Sequence, residues 1–192
     1  VRAAEFDREK VLRAAMNQFI RYGFSKTSMQ DLKRVTGLHP GSIYCAFENK
    51  RGLLLAALEQ YADDRACEFE AFFLQADTVL AGITAYLQHI VSECQAESIR
   101  DCLLQKALSE FSQNDEMVEQ ALCEALAAWQ QGLNEKLHIA QQKQELPADA
   151  DCDFLCHYLT MGICGLRSFA HTKPQPAVIQ QLADKLLAAL YP

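Results

Sequence analysis

The stretch from Thr27 to Lys50 reads TSMQDLKRVTGLHPGSIYCAFENK, and few folds can use it. Ser28 stands before an apolar-periodic segment with Asp31 three residues on, so Ser28 can cap a helix whose positive end Asp31 favours. Leu32 and Val35 form the apolar side of that short helix. Gly37 supplies the left-handed residue that ends it. Pro40 suits the first position of the next helix, where a missing N–H costs nothing. Ile43 and Phe47, four apart, give that helix its buried face, while Ser42 and Tyr44 project elsewhere. Gly41 has no Cβ and so admits a second backbone at close range. Two short helices around a tight turn suit a helix-turn-helix unit that reads duplex DNA.

The residues that follow predict a long helix. Asn49 is placed to cap it, with Leu53, Leu54, Ala57, Leu58 and Tyr61 behind. Lys50 and Arg51 put two cations in its first turn, against the helix dipole, at about 0.3–1 kcal/mol each on an exposed surface. A DNA phosphate bound by free helix N–H groups and Lys50 would reverse that sign. Two solvated charges are the plainer alternative; the preceding helix-turn-helix favours the phosphate.

Ala15, Phe19, Gly23 and Phe24, then Thr27-Ser28-Met29, Leu32, Gly37, Gly41-Ser42-Ile43-Tyr44, Phe47 and Asn49-Lys50 carry a resemblance. In this order and spacing the head resembles the DNA-binding domain of the TetR family of bacterial transcriptional regulators. The resemblance implies an all-α homodimer acting on double-stranded operator DNA. It implies a three-helix helix-turn-helix domain over residues 1–50 and a helical effector-binding and dimerisation bundle over 51–192, about nine helices in all. Carried over, Thr27 and Ser28 bond phosphate at the start of the second helix, and Tyr44 and Lys50 hold phosphates flanking the major groove. His39, Pro40, Gly41, Ser42 and Cys45 lie on or beside the recognition surface. Many relatives carry a small polar residue and a Lys where this chain has His39-Pro40. Base preference then falls to His39, Ser42, Cys45 or Lys33.

The formal net charge of −7 suits a DNA binder only once the chain is divided. Residues 1–55 hold ten Lys/Arg against five Asp/Glu, giving +5, whereas 56–192 hold eight against twenty, giving −12. An acidic body repels DNA and orients the basic end during encounter. At 192 residues the chain can bury a substantial core, in one large or two modest domains. It has no run of eighteen apolar residues and no signal peptide, so a cytoplasmic protein without a membrane span is expected. Opening at Val1 without a methionine leads us to expect residues ahead of it. Eight cysteines without a secretory signal read as reduced thiols rather than a disulfide framework.

Beyond residue 50 the apolar period is helical throughout. Helices are expected over about Lys50–Gln75, from just after Asp77, over Ile99–Phe111, Asp115–Gln144 and 152–170, and finally over Pro176–Tyr191. Val79, Ile83, Leu87, Ile90 and Cys94 stripe the second of these, and Val118, Leu122, Ala125, Trp129, Leu133 and Leu137 the long fourth. The segment CDFLCHYLTMGICGLRSFA is apolar almost all round, the mark of a helix buried on more than one side. Gly162 and Gly165 would each cost a helix interior about 1 kcal/mol relative to Ala, which close packing of another helix would explain. A four-helix dimer contact through Leu155, Leu159, Gly162, Gly165, Phe169, Leu182 and Leu186 follows, with a purely intramolecular core as the alternative.

The body shows no catalytic constellation, and no cofactor is expected. His89, His138 and His171 read as surface or helix-end residues, and Asp149, Asp151 and Asp153 as capping groups. Cys152, Cys156, His157 and Cys164 offer either core packing or a thiol or metal site, the latter making a helical enzyme the rival class. The resemblance implies an effector cavity, whose lining we expect from Phe69, Phe73, Tyr86, Ile90, Cys94, Cys102, Trp129 and Tyr158. Asp101-Cys102-Leu103 also resembles, loosely, a branch with Gly-Cys-Leu at the start of the sixth helix, in part of which the cysteine senses electrophiles or oxidants. Thiol sensing through Cys102 or Cys94 is therefore the alternative to a small apolar effector that releases the repressor. A DNA-binding dimer with no effector is a third reading.

Overall fold

Every helix of the head starts on a side chain able to accept an orphan amide or on proline. The computed structural model describes residues 6–96 and 115–191. α1 (Arg8–Tyr22) opens where Asp7 accepts from the Lys10 amide and closes at Gly23. α2 (Met29–Thr36) opens on a reciprocal cap. The Asp31 amide donates to Ser28 Oγ at 3.1 Å and the Ser28 amide to the Asp31 carboxylate at 3.0 Å. Gly37 ends it at φ 73°, with open space around its Cα, so backbone conformation rather than room requires glycine. α3 (Pro40–Phe47) starts on proline, and α4 (Lys50–Leu74) on Asn49, which accepts from the Gly52 amide at 2.9 Å.

The remaining helices are α5 (Val79–Gln95), α6 (Glu116–Gln142), α7 (Cys152–Ala170) and α8 (Pro176–Leu187), the last followed by a 3₁₀ turn, Ala188–Leu190. The fold is all-α, and among the described residues there is no strand. The helix expected over Ile99–Phe111 lies outside the described residues. No helix among those described is long and apolar enough to cross a membrane.

The described residues form two compact units. One holds 6–65 with 115–126, the other 66–96 with 127–191. Three helices of 15, 8 and 8 residues cannot bury a core alone. Leu53, Leu54, Leu58 and Tyr61 of α4 and Val118 and Leu122 of α6 complete it around Phe19, Leu32, Ile43 and Phe47. Val35 departs from its expected place: it is 36 % exposed while Leu32 is fully buried. Met29, three residues before Leu32, packs on the core instead. Arg13 of α1 grips Asp64 of α4 through two parallel bonds of 2.8 Å.

In the second unit, α5, α7 and α8 pack around Ile83, Leu87, Ile90, Leu159, Ile163 and Leu187, joined by Leu133 and Leu137 of α6. Its most consequential cap comes from far along the chain. Glu145 accepts from the Val79 and Leu80 amides at 3.0 and 2.9 Å, while Thr78 accepts from Ala81. Glu145→Ala should therefore lower stability by about 1–2 kcal/mol, read from a urea midpoint, with Glu145→Gln losing less because one acceptor survives.

The structure sorts the expected contact residues of the last two helices into two faces. Leu159 and Leu186 belong to the core of their own chain. Gly162 makes room for Leu186: a Cβ there would lie 2.3 Å from its methyl. Leu155 is half-buried against the same core. Gly165, Phe169 and Leu182 face outward, joined by Phe154 and Met161, each 64 % exposed. A helix apolar all round carries no period that says which side meets its own bundle.

Candidate nucleic-acid interface

α2, the turn at 37–39 and α3 form the helix-turn-helix. Ile43 and Phe47 anchor α3 from beneath, and this orients the opposite side outward. On that side Tyr44 is 51 % exposed, Gly41 and Cys45 are exposed, and Ser42 is half-buried. Nothing lies within 4 Å of where a Cβ of Gly41 would be, so the close approach its residue type permits is open to an outside molecule. His39 is exposed and precedes α3 without a side-chain capping bond; Pro40 fills the first helical position. Lys33, on α2, is half-buried.

The start of α2 presents Ser28. Its hydroxyl and amide both bond Asp31, which holds that carboxyl below the ordinary carboxylate range. A depressed carboxyl stabilises the folded head above the ordinary range, and that contribution fades as pH falls through the lowered value. Thr27 is placed differently. It is 1 % exposed, and its hydroxyl donates to the Gly23 carbonyl at 2.7 Å, so it shapes the α1–α2 turn from within.

The two cations of α4 are answered inside the chain. Lys50 Nζ donates to the Phe24 and Thr27 carbonyls at 2.9 and 3.0 Å and lies 4.0 Å from the centre of the Phe24 ring. Arg51 pairs with Asp115. The dipole argument for an anion at this helix start therefore loses its force, because internal oxygens already face both charges.

Two family models match the chain one after the other. The model described as bacterial regulatory proteins, tetR family, matches residues 11–57. The model of the tetracyclin repressor-like C-terminal domain matches 76–186. The chain belongs to the TetR family. It is a DNA-binding transcriptional regulator of that family. The HTH-type transcriptional repressor ComR of Escherichia coli is 27% identical over 185 residues, spanning 95% of this chain and 88% of ComR. The transcriptional regulator AcuR of Cereibacter sphaeroides is 25% identical over 177 residues, 90% of this chain and 81% of AcuR. Among solved structures, a cysteine-substituted CifR bound to 26-bp operator DNA superposes with TM-score 0.84 at 24% identity, covering 98% of this chain and 99% of CifR.

In this TetR-family body the residues expected around an effector do converge. Phe69 lies 4.9 Å from Phe73 and 4.8 Å from Tyr86, edge to face in both cases. Trp129 donates to the Tyr86 hydroxyl at 3.0 Å. Ile90 and Cys94 are buried in the same cluster, with Tyr158 half-buried against it. Phe72, which the sequence did not single out, adds a ring 5.7 Å from Tyr86. Gly82 lets Phe73 lie on α5, since a Cβ would meet that ring at 2.5 Å. Cys102 lies outside the described residues.

Several polar groups of the body make specific contacts. His89 is not a plain surface residue: its Nε2 sits 3.0 Å from Glu68 and 3.6 Å from Glu93, and the latter also pairs with Arg167 at 2.7 Å. Asp151 caps α7 by accepting from Phe154 at 2.9 Å. Burial pushes the Cys94, Cys152 and Cys156 thiols up, so each holds less thiolate than an exposed cysteine. Cys156 donates to the Gln130 carbonyl at 3.3 Å. Among the described residues no three His, Cys, Asp or Glu side chains converge as metal ligands.

Proposed function

We propose that the chain acts as a homodimeric repressor that reads operator DNA with α3 and is released by a small, largely apolar effector. The observation that carries this reading is the outer face of α3. Tyr44, Cys45 and the open Gly41 stand exposed on a short helix whose other side is anchored in the core of a TetR-family head. The repressor name of ComR and the operator DNA bound to CifR support it.

Residues 1–50 form the reading part and 51–192 the effector-binding and dimerising part. Ser28, Lys33 and Tyr44 bond phosphates flanking the major groove, while Thr27 and Lys50 act through the turn they hold. His39, Pro40, Gly41, Ser42 and Cys45 face the base edges. The outward face of α7 and α8, with Phe154, Met161, Gly165, Phe169 and Leu182, meets its copy in the dimer. The two heads then read half-sites about 34–36 Å apart. An effector lodged among the rings of Phe69, Phe73, Tyr86 and Trp129 must bind the splayed dimer more tightly than the DNA-competent one. Burial of Cys94 argues against a thiol trigger there. The role is regulatory, with no catalytic step.

Fluorescence anisotropy of the purified protein with duplexes from its own upstream promoter, over a salt series, tests this reading. Tyr44→Phe should weaken all duplexes alike, about tenfold, by removing one bond to a charged phosphate. Ser42→Ala or His39→Ala should change which sequence is preferred. A Tyr44→Phe variant with altered base preference and unchanged overall affinity would reverse this assignment of contacts.

A further inference from the structure

The corner between α3 and α4 is tied on two sides, and only one tie belongs to the helix-turn-helix itself. Lys50 holds the carbonyls of the α1–α2 turn. Arg51, the next residue, reaches Asp115 at the start of α6. Asp115 performs two tasks with one carboxylate, because it also accepts from the Val118 amide at 3.2 Å and so caps α6. Its side chain is 16 % exposed, and Arg51 Nε beside it is buried with no hydrogen-bond partner among the described residues. The geometry points to a guanidinium held for orientation, since a donor left unsatisfied is a poor way to gain stability.

The corner it holds is strained and close-packed. Glu48 sits at φ 65°, and the Asn49 amide turns back onto the Phe47 carbonyl at 2.7 Å. α6 contributes Val118 and Leu122 to the core of the first unit and Leu133 and Leu137 to the core of the second. Its first turn is therefore the place where a displacement of that helix would be felt by Arg51, one residue past the start of α4.

We infer that Arg51 and Asp115 are positioning residues for operator recognition, an ion pair that sets the direction of α3 by clamping the α3–α4 corner to the start of α6. The inference rests on the DNA-reading role proposed above. Neither residue needs to touch a base. Their effect falls on the fit of α3 to a specific sequence, which demands orientation, and spares the loose electrostatic hold on any duplex, which does not.

The test uses the full-length protein and the duplex that the wild type selects from a random-sequence pool. Asparagine caps helices about as well as aspartate, so Asp115→Asn removes the ion pair and keeps the cap. Asp115→Asn and Arg51→Gln should each reduce affinity for the selected duplex about tenfold, and the double variant no further, as a shared interaction requires. Affinity for random duplex and the salt slope should stay unchanged, with the thermal midpoint moved by no more than about 4 °C. The reversed pair, Arg51→Asp with Asp115→Arg, should recover most of the loss. Unchanged specific binding in Asp115→Asn overturns the inference. So does tighter binding of that variant to every duplex with a shallower salt slope in Arg51→Gln, which would make Arg51 a phosphate ligand restrained by Asp115. A wild type that selects no sequence overturns the DNA reading itself, and the inference with it.

Discussion

Met161→Glu is expected to leave each chain folded, to make it monomeric, and to lower operator affinity about a hundredfold or more. Met161 is 64 % exposed in the single chain, so a carboxylate there displaces little of its own core. In the proposed dimer the same position is buried twice, and two unpaired carboxylates at one contact are strongly unfavourable. A monomer offers one head where the operator is read by two, and the second contact loses its high effective concentration. Leu159→Ala provides the contrast. Leu159 lies in the core of its own chain at 1 % exposure, so that change should cost about 2–5 kcal/mol of stability. Light scattering with size-exclusion chromatography reads the first effect and chemical denaturation the second. A fully dimeric Met161→Glu with wild-type operator affinity would place the dimer contact elsewhere.

Gly52→Ala is expected to destabilise the head by about 3 kcal/mol and to abolish specific DNA binding near physiological temperature. The helix itself does not demand glycine here; alanine is ordinarily the better helix former. A Cβ at this position would lie 2.0 Å from the Phe47 carbonyl oxygen, which is backbone and cannot swing aside. That carbonyl also receives the Asn49 amide at 2.7 Å, so the corner has no slack to absorb the methyl. Circular dichroism melting with anisotropy on the same sample checks both parts. A Gly52→Ala protein as stable as wild type would show that the corner can relax at little expense.

Local chemistry made much of the head legible. Ser28 with Asp31, Gly37, Pro40 and Asn49 each act within three or four residues of where they stand, so their caps and turns could be read one at a time. Helix periods in the body were equally readable: Val79, Ile83, Leu87, Ile90 and Cys94 are all buried on α5. Val35 escaped that logic because an eight-residue helix shows too few turns for its period to locate one face. Gly52 gave no signal, since its constraint is another segment's backbone oxygen. Lys50 and Arg51 looked like cations awaiting an anion, whereas their partners stand 23 and 64 residues away, at Thr27 and Asp115.

The sequence by itself determined the all-α class, the helix-turn-helix, the separation of a basic head from an acidic body, and the family to which the chain belongs. These rest on short-range capping, periodicity and charge, which need no knowledge of what packs where. Tertiary structure alone decided that α4 and α6 complete the core of the head, that Leu159 and Leu186 turn inward while Phe154 and Met161 turn outward, and that Glu145 caps α5. Each of those outcomes depends on which surfaces meet after the chain has folded back on itself. A helix apolar on every side, or a carboxylate remote in sequence from the amides it caps, holds no local record of its partner.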